Sequence, residues 1–391
     1  MGHPLSRRSF FRKSGFLASG AAFMPLGSDA HGTKLPNSNP GSFLNVLDAG
    51  AKGDGITDDT GAIQEAILLI AKKGGGKIYF PYTSNGYKIA RPAMETVDGK
   101  PCRSQLYFPN GTYNIALEGE QPCSLLYTYQ VRTNTRFEMR KINTFLFSTW
   151  EAPEETDPTA RPWSLLSAVE GDSLRGRFGV TQVSVKNLEF RTFMNTEKMY
   201  PTSSGLFLKN AARVNIQDSQ ICLDKNVGDV DLNKELLSNP NHVVGLMTSG
   251  DQNDNQVLRN VAVQGYRYGF LFGEHTVADY LYVHNCEEAI VFHDSTHLSH
   301  IQHIVAQHNQ KILTSTREAL FGTRKDKIYL RIEGIDFEAG KGTKPEVSIM
   351  KFGVYDPENR LHGYLRWHCG FPPGDDFFPV EGGRNMTIQQ F

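Results

Sequence analysis

Residues 45–81 read NVLDAGAKGDGITDDTGAIQEAILLIAKKGGGKIYFP and combine three patterns. A Gly-Asp loop comes first, an apolar pattern at helical spacing follows, and a glycine-rich turn then leads into a strand. The apolar residues at the three- and four-residue spacing of one helix face are Ile63, Ala66, Ile67 and Ile70. Gly74 follows the last of them, as it does at many helix ends. The stretch predicts a single amphipathic helix over residues 60–72.

Short strands recur after this helix. Residues 77–89 (KIYFPYTSNGYKI) and 105–115 (QLYFPNGTYNI) are near copies, each with a strand, a proline turn, a glycine and a second strand. Five later segments can be laid on one another: 205–210, 245–250, 269–274, 289–294 and 311–316. The step from Phe272 to Phe292 is 20 residues, and the step from Ile290 to Ile312 is 22.

A second series of alternating strands accompanies these segments, with no helical pattern between them. Its members are VNIQ (214–217), VAVQ (261–264), LYVH (281–284) and IVAQ (304–307). Strands that repeat at a nearly constant step are typical of a solenoid in which each coil pairs with the coil below. A β-sandwich also has short strands, but they do not repeat at one period. The sequence predicts an all-β chain that forms a parallel β-helix.

Composition agrees with a large β domain and excludes several classes of protein. The 391 residues include 37 glycines and 21% charged residues, which excludes a disordered chain. Five cysteines, none in a C-x-x-C pair, exclude a disulfide scaffold and a thiolate zinc site. Cys102 and Cys123 could pair after export, or all five could stay unpaired. The net charge of −1 provides no electrostatic attraction to nucleic acid or to an anionic membrane.

The first 30 residues have the layout of an export signal. A basic cluster of Arg7, Arg8, Arg12 and Lys13 precedes a short apolar run that ends in small residues. Ser6, Arg7, Arg8 and Phe10 stand where the twin-arginine export pattern has them. The alternative is an ordinary secretory signal with a chance arginine pair. We therefore expect a signal peptide over 1–30, a linker over 31–42, a β-helix domain over 43–391, and a periplasmic or secreted protein.

The combination DAGAKGDGITDDTGAIQEAI, GGGKIYFP and FPNGTYNI, between residues 48 and 115, resembles the N-terminal signature of the pectate-lyase-like superfamily. This superfamily includes rhamnogalacturonases, uronan epimerases, polysaccharide lyases and phage tailspikes. The resemblance implies a right-handed parallel β-helix, with the helix over 60–72 capping its first coil. The Gly-Asp loop is then part of the cap, because no phosphate-binding glycine motif is present. Fold alone does not determine the reaction.

The hydrolase branch of the superfamily carries N-T-D, D-D, G-H-G and R-I-K motifs, and none of them is in place here. Glu287 and Glu288 stand where that branch has its paired aspartates, but no G-H-G follows. The favoured reaction is therefore β-elimination of a uronic-acid polymer by a polysaccharide lyase. The alternatives are a glycoside hydrolase that uses Glu274 with Asp294 or Glu287 with Glu288, and a non-catalytic carbohydrate-binding or tailspike-like β-helix.

Stacked coils bring equivalent residues to about 4.8 Å from one another, so columns of outward residues can be read from the repeats. One column holds Lys209 and His293, and the next holds Glu274 and Asp294. Adjacent carboxylates raise the pKa of one of the two, which suits an acid or a base. The structural alternative is that Glu274 and Asp294 cap turns.

The second strand series places Tyr280, Tyr282, His284 and His303 outward. Seven of the twelve histidines lie between His275 and His308. Solvated turn histidines would explain them, and their spacing does not gather metal ligands. For β-elimination we expect His293 or His284 as base and Tyr282 or Tyr280 as acid, with Lys209 or Arg267 as the partner of the substrate carboxylate.

Four further residues are candidate substrate contacts: Tyr266, Tyr268, Glu287 and His303. The tyrosines could stack on sugar rings or simply pack between strands. Arg267 and Glu287, one coil apart, are expected to form an ion pair. The expected partner is an acidic polysaccharide, and no cofactor is required, although Ca²⁺ could neutralise the substrate carboxylate through Asp and Glu.

Overall fold

In the computed structural model the chain divides into two units, Met1–Leu35 and Pro36–Phe391. The described residues all belong to the second unit: 42–93, 96–97, 100–123, 142–169, 179–195, 197, 200–224, 239–248, 255–292, 299–315, 330–338, 346–348, 362–367 and 386–388. The predicted signal peptide and almost the whole predicted linker lie outside these ranges. Within them, no helix is long and apolar enough to cross a membrane.

The described residues form one helix and a long series of short strands. The helix is α1 (Thr60–Lys72). The strands of the first half are β1 (Phe43–Asn45), β2 (Gly76–Phe80), β3 (Tyr87–Ile89), β4 (Thr96–Val97), β5 (Lys100–Pro101), β6 (Ser104–Phe108), β7 (Thr112–Gly119), β8 (Phe145–Ser148), β9 (Ser164–Ala168), β10 (Val180–Lys186), β11 (Glu189–Thr192), β12 (Met194–Asn195) and β13 (Tyr200–Pro201). The strands of the second half are β14 (Ser204–Phe207), β15 (Ala211–Leu223), β16 (Val244–Met247), β17 (Asn255–Gln264), β18 (Tyr268–Phe272), β19 (Thr276–His284), β20 (Glu288–Phe292), β21 (Ser299–Gln307), β22 (Lys311–Ser315), β23 (Leu330–Glu338), β24 (Glu346–Ser348), β25 (His362–Trp367) and β26 (Met386–Ile388).

Two sheets of parallel strands contain most of these elements. Among the described residues the larger sheet has 14 strands, with the main order β1-β2-β7-β10-β15-β17-β19-β21-β23-β25-β26 and with β3, β8 and β11 attached. The smaller sheet has eight, in the order β24-β22-β20-β18-β16-β14-β9-β6. The chain alternates between the sheets, and each strand pairs with its equivalent in the preceding coil. The predicted all-β parallel β-helix is confirmed.

The register of the coils agrees with the predicted repeat in part. Phe272 pairs with Phe292, so the 20-residue step is confirmed. The next step is 23 residues, because Ile290 pairs with Leu313, and the predicted alignment of Ile290 with Ile312 is wrong by one position. Ser315 accordingly pairs with Phe292 rather than with His293.

Two other predicted alignments differ from the structure. The segment 214–217 lies in the first half of the 13-residue strand β15, where Val214 pairs with Gln256, so it does not align with 261–264. The near copies after the helix also belong to different places in the coils. Strand β2 pairs with β7 in the larger sheet, whereas β6 pairs with β9 in the smaller one. Similar local sequences here reflect the same turn chemistry and not the same position in the coil.

Helix α1 covers the first coil, as predicted. Its apolar face is buried in the main hydrophobic core through Ile63, Ala66, Ile67 and Ile70. Gln64 joins the helix to strand β6 at the edge of the smaller sheet. Its Nε2 donates to the Tyr107 carbonyl at 2.9 Å, and its Oε1 accepts from the Tyr107 N–H at 2.9 Å. The side-chain amide therefore satisfies backbone groups that a further coil would otherwise bind.

The Gly-Asp loop is tied to the start of this helix. Asp59 precedes α1, and its carboxylate accepts hydrogen bonds from the N–H groups of Lys52 at 2.6 Å and Gly53 at 3.0 Å. Asp58 accepts a hydrogen bond from the Thr60 N–H at 3.1 Å and pairs with Arg91 at 2.8 Å. The acidic residues of the loop thus fix the path into the helix, which agrees with the predicted role of the loop in the cap.

Apolar side chains of both sheets fill the interior of the coils. On β19 and β21 the inward residues are Leu281, Val283, Ile304 and Ala306, all at most 1% exposed. In three successive coils the strand ends at a residue with positive φ: Gly265 at 89°, Asn285 at 52° and His308 at 53°. The register of β17, β19 and β21 stacks these three residues at one corner. Asparagine and histidine enter this backbone region more readily than most residues with a Cβ.

The cysteines that the structure describes are all free and buried: Cys102, Cys123, Cys222 and Cys286. The possible Cys102–Cys123 disulfide is therefore not formed. Cys102 packs with Tyr107 and Val169, whereas the Cys123 N–H donates to Asp218. Burial raises the pKa of the Cys286 thiol to about 12 and also raises that of Cys102.

We expect these buried thiols to be unreactive in the folded protein, because the thiolate is the nucleophile and little of it forms at neutral pH. In a Cys369→Ser variant, a chromogenic disulfide reagent should react slowly with the native chain and should count four thiols after unfolding in denaturant. A count of two after unfolding without reductant would show that one pair is oxidised and would contradict the free-cysteine arrangement.

Candidate functional site

The outward faces of β19 and β21 carry a group of aromatic and polar side chains, which we call the histidine–tyrosine cluster. It consists of Tyr280, Tyr282, His284, His303, Gln307 and His308. Side chains alternate between the two faces of a strand, so the inward Leu281 and Val283 direct Tyr280, Tyr282 and His284 outward. Parallel pairing then sets Tyr280 beside His303 and His284 beside Gln307. The structure thus brings together four of the predicted site residues.

The inner part of the cluster surrounds Tyr282 and His284, which are buried although they face outward, at 2% and 4% exposed. The Tyr282 hydroxyl donates a hydrogen bond to Gln307 Oε1. His284 Nε2 lies 3.3 Å from His308 Nδ1, and the rings of Tyr282 and His284 are 6.2 Å apart. Gln307 and His308 are only half-buried. The two buried side chains therefore contact Gln307 and His308, which solvent can reach.

The outer part of the cluster is the pair Tyr280 and His303. Their rings stack with centroids 5.5 Å apart and an interplanar angle of 16°. Both side chains are half-buried. A flat aromatic surface of this kind suits contact with the C–H face of a sugar ring. The predicted contact residue His303 thus lies in the same cluster as the predicted acid and base candidates.

A second polar group lies just past the corner, around Arg267. The predicted ion pair is formed, with Arg267 Nε 3.4 Å from Glu287 Oε2. The same guanidinium donates to the Asn239 carbonyl at 3.2 Å and lies over the Tyr268 ring. Burial raises the pKa of the Glu287 carboxyl, while Arg267 opposes that shift and Glu288 adds to it. Arg267 is therefore held by protein groups beside the cluster.

Tyr266 and Tyr268 do not form the predicted surface for sugar. Tyr266 is fully buried inside the coils, where its hydroxyl donates to the Cys222 carbonyl at 3.1 Å and contacts Thr192 Oγ1 at 2.9 Å. Tyr268 is 5% exposed and packs in an outward apolar group with Val244 and Leu271. Its hydroxyl lies 3.0 Å from His242 Nδ1. Neither ring presents a face to solvent, so the prediction of a stacking platform at these two positions is wrong.

Lys209 and Glu274 lie apart from the cluster. Lys209 follows β14, and Glu274 follows β18 just before β19 begins, so Glu274 and His284 stand at opposite ends of β19. Glu274 is buried, and its Oε1 lies 3.6 Å from His275 Nε2. His293 and Asp294 lie outside the described residues. The structure therefore does not bring Lys209 or Glu274 to the histidine–tyrosine cluster.

The arrangement has acid–base groups but few groups that could hold a metal. In the part of the chain that the structure describes, no three His, Cys, Asp or Glu side chains converge as metal ligands do. The inner part of the cluster instead combines two imidazoles, a phenol and a side-chain amide from adjacent coils. Such groups can accept a proton, donate a proton and donate a hydrogen bond to a developing negative charge.

Sequence reasoning did not single out His308, Asn239 or His242. His308 follows β21 at the position that Asn285 occupies after β19. A residue type that tolerates positive φ recurs after both strands, and this recurrence could have located the corner from the sequence. His242 lies before β16, outside both repeats that the sequence revealed. Its contact with Tyr268 depends on the fold of the segment before β16, for which the sequence has no periodic pattern.

Comparisons with known proteins agree with the fold. Residues 43–118, from β1 to the end of β7, match the family model described as rhamnogalacturonase A/epimerase, pectate lyase-like. A curated relative, alginate lyase 7 of Azotobacter vinelandii, is 56% identical over 46 residues, which are 12% of this chain and 5% of that protein. The match therefore spans a small fraction of the relative's length.

Two solved structures are similar at low identity. One is ORF18 of Geobacillus virus E2, with 13% identity, a TM-score of 0.39, and coverage of 89% of this chain and 60% of that one. The other is the A-module of the Azotobacter vinelandii mannuronan C-5 epimerase AlgE4, with 14% identity, a TM-score of 0.24, and coverage of 88% and 100%. Residues 43–118 are therefore similar to the pectate-lyase-like family, and the stacked parallel coils agree with the β-helix fold that this similarity implies.

Proposed function

We propose that the protein is an exported polysaccharide-active enzyme, and that it cleaves a uronic-acid-containing polymer by β-elimination at the histidine–tyrosine cluster. The observation that carries the proposal is the meeting of Tyr282, His284, Gln307 and His308 on one outward face. Elimination needs a base, an acid and a hydrogen-bond donor for the carboxylate, and these residue types supply all three.

The chemical step can be assigned to groups within this cluster. An imidazole nitrogen takes the proton from the carbon α to the substrate carboxylate, and the electron pair of that C–H bond forms a carbon–carbon double bond. The bond between the neighbouring carbon and the glycosidic oxygen breaks at the same time. The Tyr282 hydroxyl gives its proton to that oxygen. The Gln307 side-chain amide stabilises the negative charge that develops on the carboxylate as the C–H bond breaks.

The outer pair of the cluster serves as a neighbouring sugar subsite in this proposal. Tyr280 is two residues before Tyr282 on the same strand face, roughly 7 Å away at the usual strand rise. The Tyr280–His303 stack can then hold the next sugar of the chain by its apolar face. The name of the curated relative, alginate lyase, supports an acidic polymer as the substrate class.

The proposal is tested by incubating the purified protein with alginate, polygalacturonate and other uronic-acid polymers, with and without a metal chelator. We expect ultraviolet absorbance from the unsaturated product to rise together with new reducing ends, and to do so in the presence of the chelator. New ends without absorbance would show hydrolysis instead. If neither rises on any acidic or neutral polymer, the enzymatic proposal is refuted and a binding function takes its place.

One observation favours hydrolysis as the second candidate. Glu287 and Glu288 have contrasting environments, since burial raises the pKa of Glu287 whereas Glu288 accepts from Thr314 at 2.6 Å and lies 3.4 Å from Lys311. Two neighbouring carboxyls in different environments are the kind of pair that a glycosidase uses. Glu287→Gln would then abolish new reducing ends, whereas an elimination at the histidine–tyrosine cluster would survive this change.

A further inference from the structure

The two innermost histidines of the cluster differ in their access to solvent. His284 is 4% exposed at the end of β19, whereas His308 is half-buried at the corner that follows β21. Their rings lie 5.1 Å apart, and His284 Nε2 is 3.3 Å from His308 Nδ1. His308 has a positive φ of 53° at this corner. The more accessible His308 ring is therefore in contact with the buried His284 ring.

We propose that His308 is the base of the elimination, and that His284 is a positioning residue that accepts the His308 Nδ1–H at its own Nε2. This inference rests on the proposed function, because it names which histidine takes the proton. A base must reach the carbon that it deprotonates, and of the two imidazoles His308 is the more exposed to solvent. His284 acts on the substrate only through His308.

The direction of the hydrogen bond follows from the chemistry that His308 must perform. When two neutral imidazoles meet nitrogen to nitrogen, one nitrogen carries the proton and the other accepts it. If His308 Nδ1 donates, the His308 Nε2 lone pair can accept a proton from the substrate. If His284 Nε2 donates instead, neutral His308 carries its proton on Nε2 and has no basic nitrogen left. Activity therefore requires the Nδ1–H form of His308.

The same contact stabilises His308 after it has taken the proton. The imidazolium keeps donating its Nδ1–H to neutral His284, as a buried acceptor orients the histidine of other acid–base sites. Titratable and charged groups on the elements packed around the pair are Tyr282, His303, Glu287, Glu288, Lys311 and, in register with Gln307 on β23, Glu338.

The kinetic test compares conservative variants of each histidine in the full chain. His308→Asn keeps a polar atom near the position of Nδ1 but removes Nε2, and should lower kcat by about 10²-fold to 10⁴-fold and abolish the acid limb of the pH profile. His284→Ala should lower kcat by roughly 10-fold to 100-fold through misplacement of His308. His284→Gln restores an acceptor and should recover part of that loss. His300→Gln, on strand β21 that precedes His308, is the matched control and should keep the wild-type rate.

A second readout does not depend on turnover. Long-range proton–nitrogen spectra of the ring nitrogens, assigned with His308→Asn and His284→Gln, should show both neutral residues in the Nδ1–H form. A His308 that carries its proton on Nε2, or an active wild type whose His308→Asn variant keeps its rate, would overturn the assignment while the lyase function stands. A wild type that is inactive on every uronic-acid polymer refutes the proposed function and the base assignment together, and the spectra then show only whether the hydrogen bond exists.

Discussion

Replacing Tyr282 by phenylalanine is expected to lower kcat on a uronic-acid polymer by about 10²-fold to 10⁴-fold, which is the usual contribution of a positioned acid. The substitution removes one oxygen and leaves a ring of the same shape in the same buried place. It also removes the hydrogen bond to Gln307, so the free energy of unfolding should fall by about 0.5–1.5 kcal/mol. Steady-state kinetics together with denaturant unfolding measure the two effects separately.

The matched control is Tyr280→Phe, which removes the same atom two residues earlier on the same strand. Its ring still stacks on His303, so we expect kcat to stay within a few-fold of the wild type. Truncation to Tyr280→Ala removes the stack and should raise KM more than it lowers kcat. A large loss of kcat in Tyr280→Phe with little loss in Tyr282→Phe would transfer the role of the acid to Tyr280.

Replacing Gly245 by alanine should destabilise the fold by about 1–3 kcal/mol or more, because the interior has no room for a methyl group there. An ideal Cβ at this position lies 2.2 Å from Val263 Cγ1, 2.9 Å from the Gly269 carbonyl oxygen and 2.9 Å from Tyr266 Cδ2. Two of these neighbours are a fully buried aromatic ring and a strand backbone, and neither can move without disturbing adjacent coils. Denaturant unfolding followed by circular dichroism measures the loss.

Gly61→Ala is the matched control for this change. Gly61 lies in α1, where a Cβ meets only Arg91 Nη2, at an ordinary 3.6 Å. Alanine in a helix is more favourable than glycine by about 0.5–1 kcal/mol, so this variant should be slightly more stable than the wild type. If both substitutions lowered the free energy of unfolding by the same amount, close packing around Gly245 would not explain the loss.

Most of the fold could be predicted because its determinants are local and periodic. The apolar spacing of Ile63, Ala66, Ile67 and Ile70 specified α1, and its observed bounds match the predicted 60–72. Alternation on β19 and β21 correctly gave the inward and outward residues. The register failed between β20 and β22, where a 23-residue step replaced the expected 22. Turn length sets that step, and turns tolerate an added residue without any change in the strand pattern.

The candidate site was predictable only where it lies on regular strands. Tyr280, Tyr282, His284 and His303 follow from alternation and stacking alone. Tyr266 was misplaced because residues at the corner between β17 and β18 do not follow the two-residue alternation, and its ring turns into the interior above Gly245. Likewise, the position of His308 depends on a backbone conformation at the corner, which strand periodicity does not describe.

The pairing of Gln64 with the backbone of Tyr107 closes a β edge at the first coil. An open β edge can pair with another chain and so lead to fibres. Helix α1 covers this edge at the first coil. We therefore expect that coils can be added only after the helix. A coil added before β1 would have to displace α1, whereas one inserted further along finds a matching edge on either side. The helix thus fixes the direction in which this architecture can lengthen.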